Sequence, residues 1–155
     1  MKIEIDQSGK IEDTAKDTVL CLSNKTWHAV VIPSTVKRQL QERFRRHGQI
    51  RNFILFTFCS GLVELFRISK PKTKVIIDRE YMGKEPAITN IINKMFKNTK
   101  SLPVFEFWSI GKHSNAHKFA NKVAVKEEKP TLVLCEKAVL KNIKRTEVGK
   151  RLKNA

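Results

Sequence analysis

The chain has 155 residues, 41% of them hydrophobic, which suits one domain with its own core and is too short for two comfortable ones. Its 31 lysines and arginines outnumber its 15 aspartates and glutamates, giving a formal net charge of +16. A surface this positive attracts polyanions, because each neutralised phosphate releases condensed counterions. The composition therefore favours a nucleic-acid partner (RNA, DNA or a hybrid) over a merely lysine-rich soluble protein.

Nothing in the sequence indicates secretion or a membrane anchor. Cys21, Cys59 and Cys135 are odd in number, far apart and set in apolar stretches, which predicts core thiols in a reducing compartment. Residues 1–6 alternate charged and apolar side chains, unlike a signal peptide. The longest apolar stretch, residues 53–66, is shorter than the roughly 20 residues of a membrane span. We therefore expect a cytoplasmic protein that does not bind membranes, and the oligomeric state stays open.

Hydrophobic periodicity predicts the order β-β-β-α-β-α-β-α, followed by a short extension. Strands are expected at residues 2–6, 18–22, 28–32, 75–78 and 104–108, with a possible edge strand at 131–134. Helices are expected from Ser34, as N-cap, to Gly48, and over residues 50–66, 86–96, 114–125 and 136–144. Short loops make the first three strands an antiparallel meander. This predicts one α/β domain over residues 1–155, a mixed central sheet of about five strands flanked by helices, with a basic appendix from about residue 130.

Two predicted strands end in aspartate. The first reads IDQSG over residues 5–9, with Asp6 before a glycine-containing turn, and the fourth reads VIID over residues 75–78. Strand ends of this kind are where open α/β sheets tend to bind ligands. Glu80 lies two residues after Asp78 and points to the same face if the strand continues.

This element order resembles the ribonuclease H-like superfamily, over about residues 2–126. A third pattern, AHKFA at residues 116–120, is similar to the family's final helix, with His117 at the acidic position. In that family, carboxylates from the first strand, first helix, fourth strand and final helix gather around one or two Mg²⁺ ions. The resemblance implies a metal-dependent nuclease in which Asp6, Asp78 and Glu80 hold Mg²⁺ or Mn²⁺.

Two positions depart from the family's pattern. Glu42 has the place of the helix carboxylate, but at 100° per residue it falls nearly opposite the face of Val36, Leu40 and Phe44, so Glu80 is its substitute. His117 replaces an acidic ligand, and imidazole suits Mn²⁺ better than Mg²⁺, which predicts a preference for Mn²⁺. It can also donate or accept a proton near neutral pH.

Basic residues crowd the first long helix, with only Glu42 opposing them. They are Lys37, Arg38, Arg43, Arg45, Arg46 and Arg51. Because this stretch adjoins the predicted metal site, we expect it to bind the nucleic-acid backbone. A second basic run covers residues 137–153. Trp27 and Trp108 can stack on bases, but we expect both in the core.

A non-catalytic basic DNA- or RNA-binding protein on the same fold is the alternative function. The two hypotheses differ in whether Asp6 and Asp78 approach closely enough to share an ion. A pure binding protein has no reason to place two carboxylates beneath a surface that attracts phosphates, because they oppose its own field.

Overall fold

A computed structural model describes residues 2–96 and 99–152, which are organised around a six-stranded mixed sheet. The strands are β1 (Ile3–Ser8), β2 (Thr18–Ser23), β3 (Trp27–Ile32), β4 (Val75–Asp78), β5 (Phe105–Trp108) and β6 (Leu132–Val133). Their order across the sheet is β5-β4-β1-β2-β3-β6. β1, β2 and β3 are antiparallel, β4 and β5 run parallel to β1, and β6 runs parallel to β3. The predicted α/β class, the mixed sheet and its antiparallel first three strands are confirmed.

Helices cover both faces of this sheet. They are α1 (Ser34–Arg46), α2 (Phe53–Ser69), α3 (Glu85–Met95), α4 (Asn115–Ala124), α5 (Glu136–Ile143) and α6 (Glu147–Arg151), with 3₁₀ turns at Ile50–Asn52 and Thr99–Ser101. α2 packs on β2 and β3, and α1, α3 and α5 pack on α2. On the opposite face, α4 contacts β1, β2 and β3. The sequence did not predict α6, because its five residues are too few to show a period.

The main core lies beneath α2, and a close helix–sheet approach forms it. A Cβ atom added at Gly61 would lie 2.6 Å from Leu20 Cδ1 and 3.1 Å from Ile32 Cδ1, so glycine lets α2 sit directly on the strands. A smaller core lies beneath α4 and includes Cys21, Ala29 and Ala120. α4 lies over β1, β2 and β3. On the same face of the sheet, β4 and β5 extend beyond this helix and leave that part of the face open.

The ends of α1 depart in part from expectation. Pro33 is its N-cap, and Ser34 makes no side-chain cap; instead the Ser34 N–H donates to Asp17 Oδ1 at 2.8 Å. A carboxylate from the preceding loop therefore satisfies the helix start, where sequence reasoning expected the serine hydroxyl. Gly48 follows the helix with φ +67°, a conformation that glycine adopts without steric cost, so it divides α1 from α2 as expected.

α2 and the turn before it form the longest apolar segment. Together they span Ile50–Ser69, which is 20 residues with a mean hydropathy of 1.3, and so reach the length of a membrane span, longer than the sequence suggested. Within the fold, 56% of that segment is buried, against the sheet on one side and α3 and α5 on the others. Burial in the core of the α/β fold therefore explains why this helix is so apolar.

The segment from about residue 130 is part of the fold and not an appendage. β6 pairs with the edge of β3, and Leu134, Val139 and Ile143 lie in the main core. Residues 153–155, which include Lys153 at the end of the predicted basic run, lie outside the described residues. Cys135 is exposed, so the expectation of a core thiol is wrong there, while Cys21 and Cys59 are buried as predicted.

Candidate metal centre

The register of the sheet brings Asp6 and Asp78 together. β1 and β4 are parallel neighbours, and Ile5 lies opposite Ile77, so the two aspartates follow side by side where the pairing of these strands ends. β4 ends at Asp78, whereas β1 continues to Ser8. Ile5 and Ile77 point into the main core. Since side chains alternate along a strand, Asp6 and Asp78 both project from the opposite face, the one that α4 partly covers.

Glu80 completes an acidic trio with these two residues. One carboxylate oxygen from each of Asp6, Asp78 and Glu80 lies within 4.8 Å of the others. The chain turns sharply after β4, where the Glu80 N–H donates to the Asp78 carbonyl oxygen at 2.9 Å. Asp6 is only 5% exposed, and the other two are half-buried. We call this group the acidic trio.

Backbone donors orient the two aspartates. Asp6 Oδ1 accepts the N–H of Gln7, and Asp78 Oδ1 accepts the N–H of Ile110, both at 2.8 Å. Burial raises the pKa of Asp78, and the charge of Asp6 and a hydrogen bond with it raise that pKa further. Burial also raises the pKa of Glu80, and the charges of Asp78 and Asp6 add to it. Burial and mutual repulsion therefore make negative charge on the trio unfavourable, and a bound cation would offset both effects.

The donor set fits a hard divalent cation. Two unit charges at such separations near a protein surface repel by about 3–4 kcal/mol, so a bound cation would turn that repulsion into attraction. Among the described residues, Gln7 Oε1 is buried without a hydrogen-bond partner, but alternation along β1 turns Gln7 to the face opposite Asp6. The donor set is therefore the three carboxylates. Oxygen donors of this kind suit both Mg²⁺ and Mn²⁺.

His117 lies beside Asp6, in the first turn of α4. The Ser114 hydroxyl caps that helix by accepting the His117 N–H at 3.0 Å. His117 Nδ1 is 2.7 Å from Asp6 Oδ2, and Nε2 is 3.1 Å from Asn121 Nδ2. An Nδ1–H that donates to Asp6 leaves Nε2 to accept from the Asn121 amide, so both ring nitrogens are used. His117 thus holds Asp6 in place rather than joining the trio, which removes the basis for the predicted preference for Mn²⁺.

Glu42 is not brought to this site. It is exposed on α1, where it pairs with Arg45 at 3.1 Å and Arg46 at 3.4 Å. The helical spacing had placed it opposite the apolar face, and the structure shows that orientation. Glu42 is therefore wrong as a site carboxylate, and Glu80 stands with the two aspartates instead.

Lys37 is wrong as a nucleic-acid contact. It is 0% exposed, and its Nζ donates to the carbonyl oxygens of Lys10 at 3.0 Å and Asp13 at 2.7 Å, and to Thr18 Oγ1 at 2.9 Å. Burial lowers the pKa of Lys37, partly offset by nearby acidic residues. The side chain ties the loop after β1 to α1, so its charge serves the fold.

The remaining basic residues of α1 are spread along the helix, and three of them, Arg38, Arg43 and Arg46, line one cleft with Glu42 and Glu136. Arg38 donates to the Thr14 carbonyl oxygen at 2.7 Å and so stays near the loop after β1. Arg43 pairs with Glu136 at 3.1 Å, on the side of α1 that faces α5. At 1.5 Å per residue, the helix carries its end at Arg46 about 13 Å beyond Lys37. Arg51 is exposed in the turn beyond α1. Arg38 is thus the exposed basic side chain of this stretch that contacts the loop after β1, and Lys37 contacts that loop from the buried side.

Sequence reasoning missed the residues that support the trio. Tyr81, which follows Glu80, packs on Phe58, and its hydroxyl lies 3.3 Å from both Gln7 Nε2 and the Ile11 N–H. Burial raises the pKa of Tyr81 to about 12. The tyrosine thereby links the loops after β1 and β4 and orients Gln7. Asn121 gave one readable signal, because it lies four residues after His117 on the same helix face.

The two tryptophans have different surroundings. Trp27 is half-buried and stacks on Phe119, with ring centroids 5.1 Å apart, as part of the smaller core. Trp108 is 57% exposed at the end of β5, so the expectation of a core position is wrong for it. The alternation of β5 carried the signal: Phe105 and Phe107 pack on the main core, which leaves Trp108 on the other face.

No family model, curated protein or solved structure matches this chain. The likeness to the ribonuclease H-like superfamily therefore rests on the element order and on the residues at the strand ends. What the structure establishes is an α/β fold with an acidic trio that can bind a metal ion.

Proposed function

We propose that this protein is a divalent-metal-dependent nuclease of ribonuclease H-like type, which hydrolyses phosphodiester bonds in nucleic acid. The observation that carries the proposal is the acidic trio, whose oxygens lie within 4.8 Å of one another. It belongs to a chain with a net charge of +16, suited to a polyanionic substrate. The antiparallel meander followed by alternating helices and parallel strands supports the ribonuclease H-like relation.

Asp6, Asp78 and Glu80 would hold Mg²⁺ or Mn²⁺. When bound, such an ion lowers the pKa of water and neutralises charge on the leaving oxygen. The chain's own residues fix the geometry in advance. His117 holds one Asp6 oxygen, and the Ile110 N–H holds one Asp78 oxygen. Lys10, whose charge acts on Glu80, adds positive charge near the place where a phosphate would arrive.

The trio favours this proposal over a non-catalytic binding protein. A protein that only binds phosphates gains nothing from three clustered carboxylates, because they repel its ligand. Burial and mutual repulsion raise the pKa values of Asp78 and Glu80, so the fold maintains this cluster at an electrostatic cost. A metal-dependent reaction would explain why the fold keeps these carboxylates together despite their repulsion.

The test is cleavage of labelled RNA, DNA, hybrid and branched-junction substrates in Mg²⁺, Mn²⁺ or EDTA. We expect cutting with either metal and none in EDTA. Asp6→Asn and Asp78→Asn should lower the rate by more than the roughly 10–100-fold that follows loss of a group supporting a metal ligand. Both variants should still bind substrate, because each removes a negative charge.

Glu42→Gln is the matched control, since it neutralises an exposed carboxylate that lies outside the trio. It should cleave like the wild-type protein. Tight, salt-sensitive binding without cutting in either metal would contradict the proposal and favour the binding protein. Cleavage that survives both aspartate substitutions would place the chemistry elsewhere.

A further inference from the structure

A groove of about 580 Å³ lies on the open part of the sheet face, beside the acidic trio. Ile76 and Trp108 line it on neighbouring strands, and Trp108 lies opposite Asp78 in the register of β4 and β5. Ile110, which also lines the groove, donates its N–H to Asp78. Two residues of the groove, Trp108 and Ile110, are therefore direct neighbours of Asp78. The volume falls within the range of about 300–1,000 Å³ that is usual for ligand sites.

Trp108 is 57% exposed in this groove, so its ring is accessible to a ligand. On the same face of β5, Glu106 pairs with Lys74, whose Nζ lies 2.8 Å from Glu106 Oε1. The ring therefore lies beside an ion pair whose charges cancel. A large, accessible aromatic side chain is a stacking surface, since ordering it on binding costs little entropy.

The charges of the groove indicate which part of a nucleic acid fits there. Lys2 and Lys74 are balanced by Glu4 and Glu106, so the groove has no net charge within a chain of +16. A phosphate would gain little from such a lining. A flat, uncharged base would stack on Trp108 and contact Ile76, while its backbone phosphates stayed outside.

We propose that this groove binds an unpaired base of the substrate strand, stacked on Trp108, next to the phosphodiester that is cut. The inference rests on the proposed nuclease function for its place in the reaction. It adds a substrate class: nucleic acid with a single-stranded or displaced nucleotide at the cleavage position. An internal base of a fully paired duplex cannot offer its face to Trp108 without unstacking.

The test uses tryptophan fluorescence, because Trp27 and Trp108 are the two tryptophans of the sequence. Trp27→Phe keeps an aromatic ring against Phe119 and leaves Trp108 as the sole indole. This variant is titrated in EDTA, which prevents metal-dependent cutting, with single-stranded oligothymidylate and with a blunt duplex. We expect the single strand to quench Trp108 and the duplex to leave its emission nearly unchanged.

Affinity is measured in parallel by anisotropy of labelled strands. Trp108→Ala should weaken single-strand binding about tenfold and leave duplex binding unchanged, while Trp108→Phe should retain most of the affinity. Val133→Ala is the control, because Val133 is an equally exposed apolar side chain (55%) at the opposite edge of the sheet. It should bind both substrates like the wild-type protein.

Unchanged Trp108 emission while anisotropy shows the single strand bound would overturn the inference. Equal quenching by strand and duplex, or full affinity in Trp108→Ala, would also overturn it. Quenching by the single strand without cleavage in any metal would support the groove and contradict the proposed nuclease. Metal-dependent cleavage without quenching would support the nuclease and contradict the groove.

Discussion

The acidic trio and the basic stretch of α1 differ in how separation along the chain relates to separation in the folded protein. The trio comes from positions far apart in the chain, yet its oxygens lie within 4.8 Å, because hydrogen-bonded strands fix Asp6 beside Asp78. The basic stretch is nearly contiguous, yet its members are spread along the helix axis. Lys37 is buried, and Arg43, Arg45 and Arg46 are paired with carboxylates. Strand register therefore concentrates charge at this site, whereas helical neighbours disperse it.

The largest expected effect is on stability, and it distinguishes two adjacent residues of the basic stretch, Lys37 and Arg38. Lys37→Ala should lower the free energy of unfolding by about 2–4 kcal/mol, because it leaves the Lys10 and Asp13 carbonyls without their buried donor. Arg38→Ala should change it by less than about 0.5 kcal/mol, because its side chain is exposed. Urea denaturation of both variants measures the difference.

For nucleic-acid binding we expect the reverse: substitution of Arg38 has an effect and substitution of Lys37 has none. Arg38→Ala should weaken binding and reduce its dependence on salt concentration. Lys37→Met, which keeps the buried stem, should bind like the wild-type protein once it is folded. Equal stability losses in Lys37→Ala and Arg38→Ala would break the distinction between a structural and a surface cation.

The second prediction tests what supports the trio. His117→Ala should lower the cleavage rate about 10–100-fold, because Asp6 loses the group that holds one of its oxygens. Asn121→Ala should have a smaller effect in the same direction, since it contacts His117 and not Asp6. Metal titrations of cleavage in both variants give the comparison. A His117→Ala protein with unchanged metal dependence would contradict a positioning role for the histidine.

A smaller effect follows from pH. Asp78 and Glu80 have pKa values raised above the ordinary 3.8 and 4.5, so the folded chain binds more protons there than the unfolded chain. In EDTA their contribution to stability is present at low pH and is lost as pH rises through the raised pKa values. Asp78→Asn should therefore gain stability over the wild-type protein as pH rises through that window. Thermal denaturation across a pH series measures the gain, and a constant difference would contradict it.

The sequence predicted the fold better than the surface, for physical reasons visible in single residues. The end of β4 at Asp78 was readable because its apolar run stops there, whereas β1 continues past Asp6 to Ser8. The register of the two strands places the aspartates side by side. Lys37 was misjudged because residue type was weighed above position: it lies among the core-facing residues of α1, Val36, Leu40 and Phe44. Alternation along β5 indicates that Trp108 lies on the face away from the main core. Its exposure on that face depends on how much of the sheet α4 covers, which helix packing decides.

The central claim is that the acidic trio binds a divalent cation, and thermal denaturation tests it without relying on activity. At about a hundred times its Kd, an ion bound only by the folded state adds about 2.7 kcal/mol, or about 5–10 °C in Tm for a domain of this size. We predict that shift in Mg²⁺ or Mn²⁺ over EDTA for the wild-type protein and Glu42→Gln, and its loss in Asp6→Asn and Asp78→Asn. A wild-type Tm that is equal in metal and in EDTA, or a full shift in both aspartate variants, would contradict the account.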